Sequence, residues 1–156
     1  MASLSYQTRN YTCGLHAYLN ALSVFEIEMS HAEAKKLIGT NSKEGTSQRG
    51  LLRGIESAEL KATVYRQRNP QTAVRWLWKW SAITPIIVLL DGYLTVGSSH
   101  WATVTGRIGD KIILVDPTAN VASGENGVHV LSRGELLERW KYRICYAIRI
   151  TLKESR

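Results

Sequence analysis

Ser99-His100-Trp101-Ala102-Thr103-Val104-Thr105 is followed by Gly106-Arg107-Ile108-Gly109-Asp110 and then by Lys111-Ile112-Ile113-Leu114-Val115-Asp116-Pro117. The stretch reads as two strands, Trp101 to Thr105 and Lys111 to Val115, joined by a glycine-bearing hairpin turn. In an antiparallel pair the start of one strand lies beside the end of the other. His100 and Asp116 therefore become neighbours in space. A carboxylate beside an imidazole selects its tautomer and stabilises its charged form. Taken singly, His100 is a histidine at a strand edge and Asp116-Pro117 a plain turn; the hairpin is what gives them a joint chemical meaning.

The rest of the chain assembles around this hairpin. Pro85 to Leu90 is a continuous apolar run, the mark of a buried strand. Further strands are expected at Ala62 to Tyr65, Val128 to Leu131 and Ile144 to Ile150. Upstream, Leu15, Tyr18, Leu19, Leu22 and Phe25 are spaced for one face of a helix over Gly14 to Phe25. Ser30-His31-Ala32-Glu33 has the form of a capping box and opens a short helix ending near Gly39. Ser47 to Ala58 and Gln71 to Trp80 carry two more helices, and Ser132-Arg133-Gly134-Glu135 is a second capping box before Leu136, Leu137 and Trp140. Helices first and an antiparallel sheet afterwards indicate an α+β fold, with N-terminal helices packed on the sheet. A length of 156 residues fits one domain over positions 1–156 with a sizeable core.

Bulk properties exclude several classes. A hydrophobic content of 44% with 21% charged residues is that of a globular chain. No segment is long and apolar enough for a membrane span, and Met1 to Tyr6 lacks the pattern of a secretory signal, so a cytoplasmic protein is the expectation. The net charge of +7 favours an acidic partner, but the basic residues are scattered. Nucleic acid is thus a weak expectation, and the run Arg139 to Arg143 reads as a solvated face. Cys13 and Cys145 make no disulfide framework, although the pair alone does not exclude a bridge.

Gln7-Thr8-Arg9-Asn10-Tyr11-Thr12-Cys13-Gly14 places a cysteine where the first helix begins. Unpaired amides and the helix dipole stabilise a thiolate there, and the thiolate is the nucleophile. A buried structural cysteine is the competing reading. Gly14 leaves room for a substrate backbone to approach. His100 can take and return the thiol proton. His16, one helical turn from Cys13, is the second candidate base, with no evident acid to orient it. His31 is expected in solvent, and His129 is the weakest alternative. Gln7 can offer its amide to an oxyanion alongside the Cys13 backbone N–H. Cys13, His16, His100 and Asp116 are also metal-ligand types, but a single Cys-x-x-His with no second pair is a poor zinc signature. Trp76, Trp78 and Trp80 would spread round a helix, so at least one is expected to be exposed, beside Arg75 and Lys79, unless the segment is extended; packing against the core is the preferred use of these rings over a partner surface.

These residues resemble the bacteriocin-processing peptidases, papain-fold cysteine peptidases that remove double-glycine leader peptides, and their stand-alone relatives. The resemblance rests on Gln7 through Gly14, Gly45-Thr46-Ser47 with Gly50-Leu51-Leu52, Ser99-His100-Trp101 and Val115-Asp116-Pro117, and runs from Gln7 to about Leu131. It implies a papain-like fold with Cys13 as nucleophile, His100 as general acid and base, Asp116 orienting His100, and Gln7 lining the oxyanion hole. Thr12 stands where the family often has aspartate, Leu15 and His16 where small residues are common, and the loop from Asp91 to Gly97 is longer than usual. The expectation is a cysteine peptidase acting on a peptide or protein substrate without a cofactor. A deamidase or acyl transferase using the same groups, and a peptidase-like binding module with a basic surface, are the alternatives.

Overall fold

The strands and helices form where the hydrophobic pattern and the caps place them. The structure, a computed structural model, describes residues 13–41, 46–91, 99–116, 127–140 and 144–153. Gln7, the loop from Gly92 to Ser98 and Pro117 lie outside the described residues. Among the described residues there are five helices, α1 (Cys13–Val24), α2 (His31–Ile38), α3 (Gln48–Ser57), α4 (Pro70–Ser81) and α5 (Arg133–Arg139), and six strands. These are β1 (Leu60–Gln67), β2 (Ile86–Asp91), β3 (Ser99–Ile108), β4 (Lys111–Val115), β5 (Val128–Leu131) and β6 (Cys145–Leu152).

Polar side chains start the helices. Ser30, Ser47, Asn69 and Ser132 each accept a hydrogen bond from a backbone N–H in the first turn that follows. At Ser132 the box is reciprocal, with Glu135 accepting from the Ser132 N–H. Gly39, at φ +71, closes α2 in the left-handed conformation that glycine adopts without strain.

All six strands pair antiparallel in the order β1-β6-β2-β3-β4-β5. The sheet is covered on both faces. Ile87, Trp101, Tyr146, Ile148 and Ile150 pack with α1, α2 and α3, while Ile86, Val88, Leu90, Ala102 and Val104 pack with α4 and α5. Two buried faces explain why β2 reads as an unbroken apolar run. The expected α+β, papain-like arrangement holds, with a second helix layer on the far face of the sheet. The short strand expected at Ala62 to Tyr65, between α3 and α4, is present as the longer β1.

Three local expectations are corrected. Helix α1 buries every residue from Gly14 to Ser23 rather than one face. A helix enclosed on all sides is a core helix, and Ala17, Ala21 and Gly14 supply the small positions that let neighbours close over it. The hairpin turn shortens to Gly109-Asp110, because Ile108 pairs with Lys111 and an irregularity between Val104 and Gly106 absorbs Thr105. Its tip is tied to α4: the Trp78 indole N–H donates to the Asp110 carbonyl at 2.8 Å, and Arg107 donates to the Trp78 carbonyl at 2.6 Å. None of the three α4 tryptophans is exposed. Trp78 is buried, Trp76 stacks on Tyr65 with centroids 3.9 Å apart, and Trp80 lies under Arg149. Helix spacing spreads the rings, and each finds a different cover: Tyr65 of β1 for Trp76, Arg149 of β6 for Trp80, and the β3–β4 turn for Trp78.

Two glycines in helices make opposite demands. A Cβ at Gly50 would run into the Ile38 carbonyl oxygen, a backbone atom that cannot swing aside, whereas a Cβ at Gly134 meets nothing within 4 Å. Gly50→Ala is expected to lower stability by about 1–3 kcal/mol. Gly134→Ala should change it by no more than about 0.5 kcal/mol. Urea unfolding midpoints of the two variants measure the difference.

Candidate active site

Cys13 is the first residue of α1, and that helix is held against β3 by a side chain inside the core. The Thr103 hydroxyl donates to the Ala17 carbonyl at 2.7 Å, with Thr103 fully buried. The Trp101 indole N–H donates to the Thr46 carbonyl at 3.3 Å, and Thr46 packs its side chain against Gly14. A Cβ at position 14 would collide with Thr46. The space beside Gly14, expected for an approaching substrate backbone, is therefore filled by the protein's own loop.

His100 lies in β3 and Asp116 follows β4. Continuing the Thr103–Val115 register places Asp116 across from Ala102, one diagonal step from His100 on the same face. The His100 Nε2 and Asp116 Oδ1 atoms are 2.7 Å apart. Both groups are buried, at 6% and 1% exposure, which strengthens their electrostatic interaction. With Nε2 given to the carboxylate, Nδ1 is the nitrogen left for the thiol of Cys13, to which His100 is hydrogen bonded.

Burial works to raise the Cys13 thiol. The hydrogen bond to His100, the Trp101 amide, the charge on His100 and the Gly14 amide together outweigh it, so the thiol titrates below its ordinary value. Burial likewise works to lower His100. Its hydrogen bonds to Asp116 and Cys13, and their charges, push it up instead to about 9. Both shifts favour a thiolate–imidazolium pair near neutral pH.

The other candidates separate from this group. His16 is buried and pushed down to about 4 by desolvation and by the charge of His31, so it is neutral at physiological pH. His31 is exposed, as expected, and meets the His16 ring edge-on at 5.1 Å. His129 sits in β5 opposite Leu114. Cys145 is free and buried against α4 and α5, on the other side of the sheet from the cluster that Cys13 joins. That position rules out a Cys13–Cys145 bridge. Sequence reading missed the positioning roles of Thr103 and Thr46. The available signal was Thr103 itself, a hydroxyl between the buried apolar residues Ala102 and Val104.

Residues 2–148 match the sequence profile of the peptidase C39 family. The chain belongs to the peptidase C39 family. It is thereby a cysteine peptidase. Solved structures agree on the fold. The peptidase domain of Streptococcus ComA, a bi-functional ABC transporter involved in a quorum sensing pathway, is 18% identical with a TM-score of 0.73, covering 98% of this chain and 100% of that one. A double glycine motif protease from an AMS/PCAT transporter, in complex with the leader peptide, is 18% identical with a TM-score of 0.70, covering 97% and 93%. The peptidase C39-like domain of a toxin secretion ATP-binding protein from Vibrio parahaemolyticus is 13% identical with a TM-score of 0.54, covering 88% and 96%. No curated protein matches the C39 chain. No described helix is long and apolar enough to cross a membrane.

The pair of cysteines supplies an internal control. Cys13 titrates below its ordinary value, whereas burial pushes the Cys145 thiol up. At neutral pH, iodoacetamide should label Cys13 at least about tenfold faster than Cys145. His100→Ala removes the hydrogen bond and the charge through which His100 lowers Cys13, leaving only the Trp101 and Gly14 amides against burial, so its labelling profile should move to higher pH. Peptide-resolved mass spectrometry across a pH series reads both outcomes.

Proposed function

We propose that the C39 chain hydrolyses a peptide bond with Cys13 as nucleophile, His100 as general acid and base, and Asp116 as the group that orients His100. The observation that carries this reading is the buried chain of contacts from Asp116 through His100 to Cys13, with the thiol lowered and the imidazole raised. The Cys13 Sγ thiolate attacks the scissile carbonyl carbon, forming a C–S bond and an oxyanion. The Cys13 backbone N–H and the Gln7 side-chain amide receive that oxyanion. Gln7 lies outside the described residues, and its role follows from its position six residues before Cys13 in the family resemblance.

The imidazolium then gives its Nδ1 proton to the leaving nitrogen as the C–N bond breaks. A water molecule attacks the thioester, His100 takes its proton, and the thiolate leaves. Throughout, Asp116 holds Nε2 and keeps Nδ1 directed at the sulfur. No step needs a metal or organic cofactor. The substrate is a peptide, and leader peptides with a double-glycine motif are the first class to try, because the AMS/PCAT relative was solved with its leader peptide. Such a substrate would be met in the cytoplasm.

Candidate peptides are incubated with the wild-type chain and with Cys13→Ala, and products are identified by mass spectrometry. Cleavage by wild type that falls by about 10⁴-fold or more in Cys13→Ala supports the reading. Cleavage that survives the substitution removes Cys13 from the chemistry, and a mass gain of about one dalton without chain cleavage makes the protein a deamidase. Gln7→Ala is expected to lower kcat by about 10²- to 10³-fold with little change in KM.

A further inference from the structure

From Lys61 to Leu90 the sequence contains five cations, Lys61, Arg66, Arg68, Arg75 and Lys79, and no aspartate or glutamate. Its first part, Lys61 to Ser81, forms β1 and α4 on one margin of the molecule before β2 enters the middle of the sheet; Arg66 turns to the opposite face, over Tyr146 and against Gln48. The neighbour of β1, β6, adds Arg149, and β6 too has no acidic residue. Among the described residues none of these six cations makes an ion pair. Unneutralised charge of one sign raises the local potential and selects an acidic partner.

β1 is the end strand of the sheet, so among the described residues no strand pairs with its outer edge. Residues from Lys61 to Gln67 are all half-buried or exposed along that edge. Open backbone groups in such a strand are a template for one more strand.

The aromatic residues on this margin point to a partner class. Tyr65 and Trp76 stack on each other, with planes only 4° apart. Arg149 lies over the Trp80 ring at 3.9 Å, and Lys79 over the same ring at 5.2 Å. Ring faces engaged in this way are poor platforms for nucleic-acid bases, which bind by stacking. They instead brace the cations beside the strand edge. We infer that the β1 edge and α4 form a docking surface for an extended acidic peptide segment, which pairs with β1 as an added strand. Alternate side chains of a strand share one face, so carboxylates at every second position would all lie on the α4 side, where Trp76 stacks on Tyr65 of β1 and the exposed Lys79 follows one turn along α4. The surface lies on the α4 side of the sheet, away from Cys13, and stands independently of the thiol chemistry.

The test is fluorescence anisotropy on the full chain carrying Cys13→Ala, so that no probe is consumed. The probe is a labelled peptide of four Val-Glu repeats. Saturable binding is expected, weakened at least about tenfold by Arg68→Glu/Arg75→Glu/Lys79→Glu, three exposed positions, and by replacing glutamate with glutamine in the probe. N-methylation of alternate probe amides, which removes strand pairing but keeps the charge, should abolish binding. Three results would overturn the inference. Unchanged affinity of the N-methylated probe means no strand is added. Tighter binding of oligo-dT than of the acidic peptide makes this a nucleic-acid surface. Absence of saturable binding leaves the cations as a shield against edge-to-edge association.

Discussion

The Thr103 hydroxyl, buried in β3, donates to the Ala17 carbonyl in the middle of α1, and the relation of helix to sheet rests on that bond. A helix with ten successive buried residues has no solvent face to set its rotation. Apolar packing is nearly indifferent to small slides and turns of such a helix, but a buried hydroxyl is not. Leaving it without a partner costs about 1–3 kcal/mol, a large share of a domain's net stability. Trp101 adds a second tie through the Thr46 carbonyl, and Thr46 packs against Gly14. Thr103, Trp101 and His100 lie in one strand. The strand that carries the imidazole therefore also fixes the helix that carries the thiol.

The two cysteines show how little residue type alone decides. Cys13 and Cys145 are both free and both withdrawn from water, and burial pushes both thiols up. At Cys145 nothing opposes that effect, and its thiol donates to the Trp140 carbonyl at 3.3 Å. At Cys13 an imidazole backed by a carboxylate and two backbone amides reverses the sign. The same contrast separates the histidines. His16 loses its charge to burial and to a second imidazole, while His100 keeps its charge through Asp116 and Cys13.

Much of this was legible beforehand. The caps at Ser30 and Ser132 and the apolar run of β2 are local signals, and each element stands where those signals put it. The hairpin brought His100 to Asp116 because antiparallel pairing is a rule of geometry that needs only two strands and a turn. The extent of burial was not legible. Helix periodicity reports which residues are apolar, not how many neighbours surround them, so α1 read as one-faced and at least one α4 tryptophan as exposed. The cover of α1 comes from α2, α3 and β3, and that of the α4 tryptophans from Tyr65 of β1, Arg149 of β6 and the β3–β4 turn, neighbours that the periodicity of a single helix does not report.

By itself, then, the sequence determined the elements, the antiparallel pairing and the set of side chains able to support thiol chemistry, because caps, periodicity and turn residues act over a few positions. Only the tertiary structure decided which cysteine is lowered, which histidine keeps its charge, and that Gly14 is closed off by Thr46. Those outcomes are differences between desolvation and a few directed contacts. The groups that make the contacts come from α1, β3 and the end of β4, brought together only when the helix seats on the sheet.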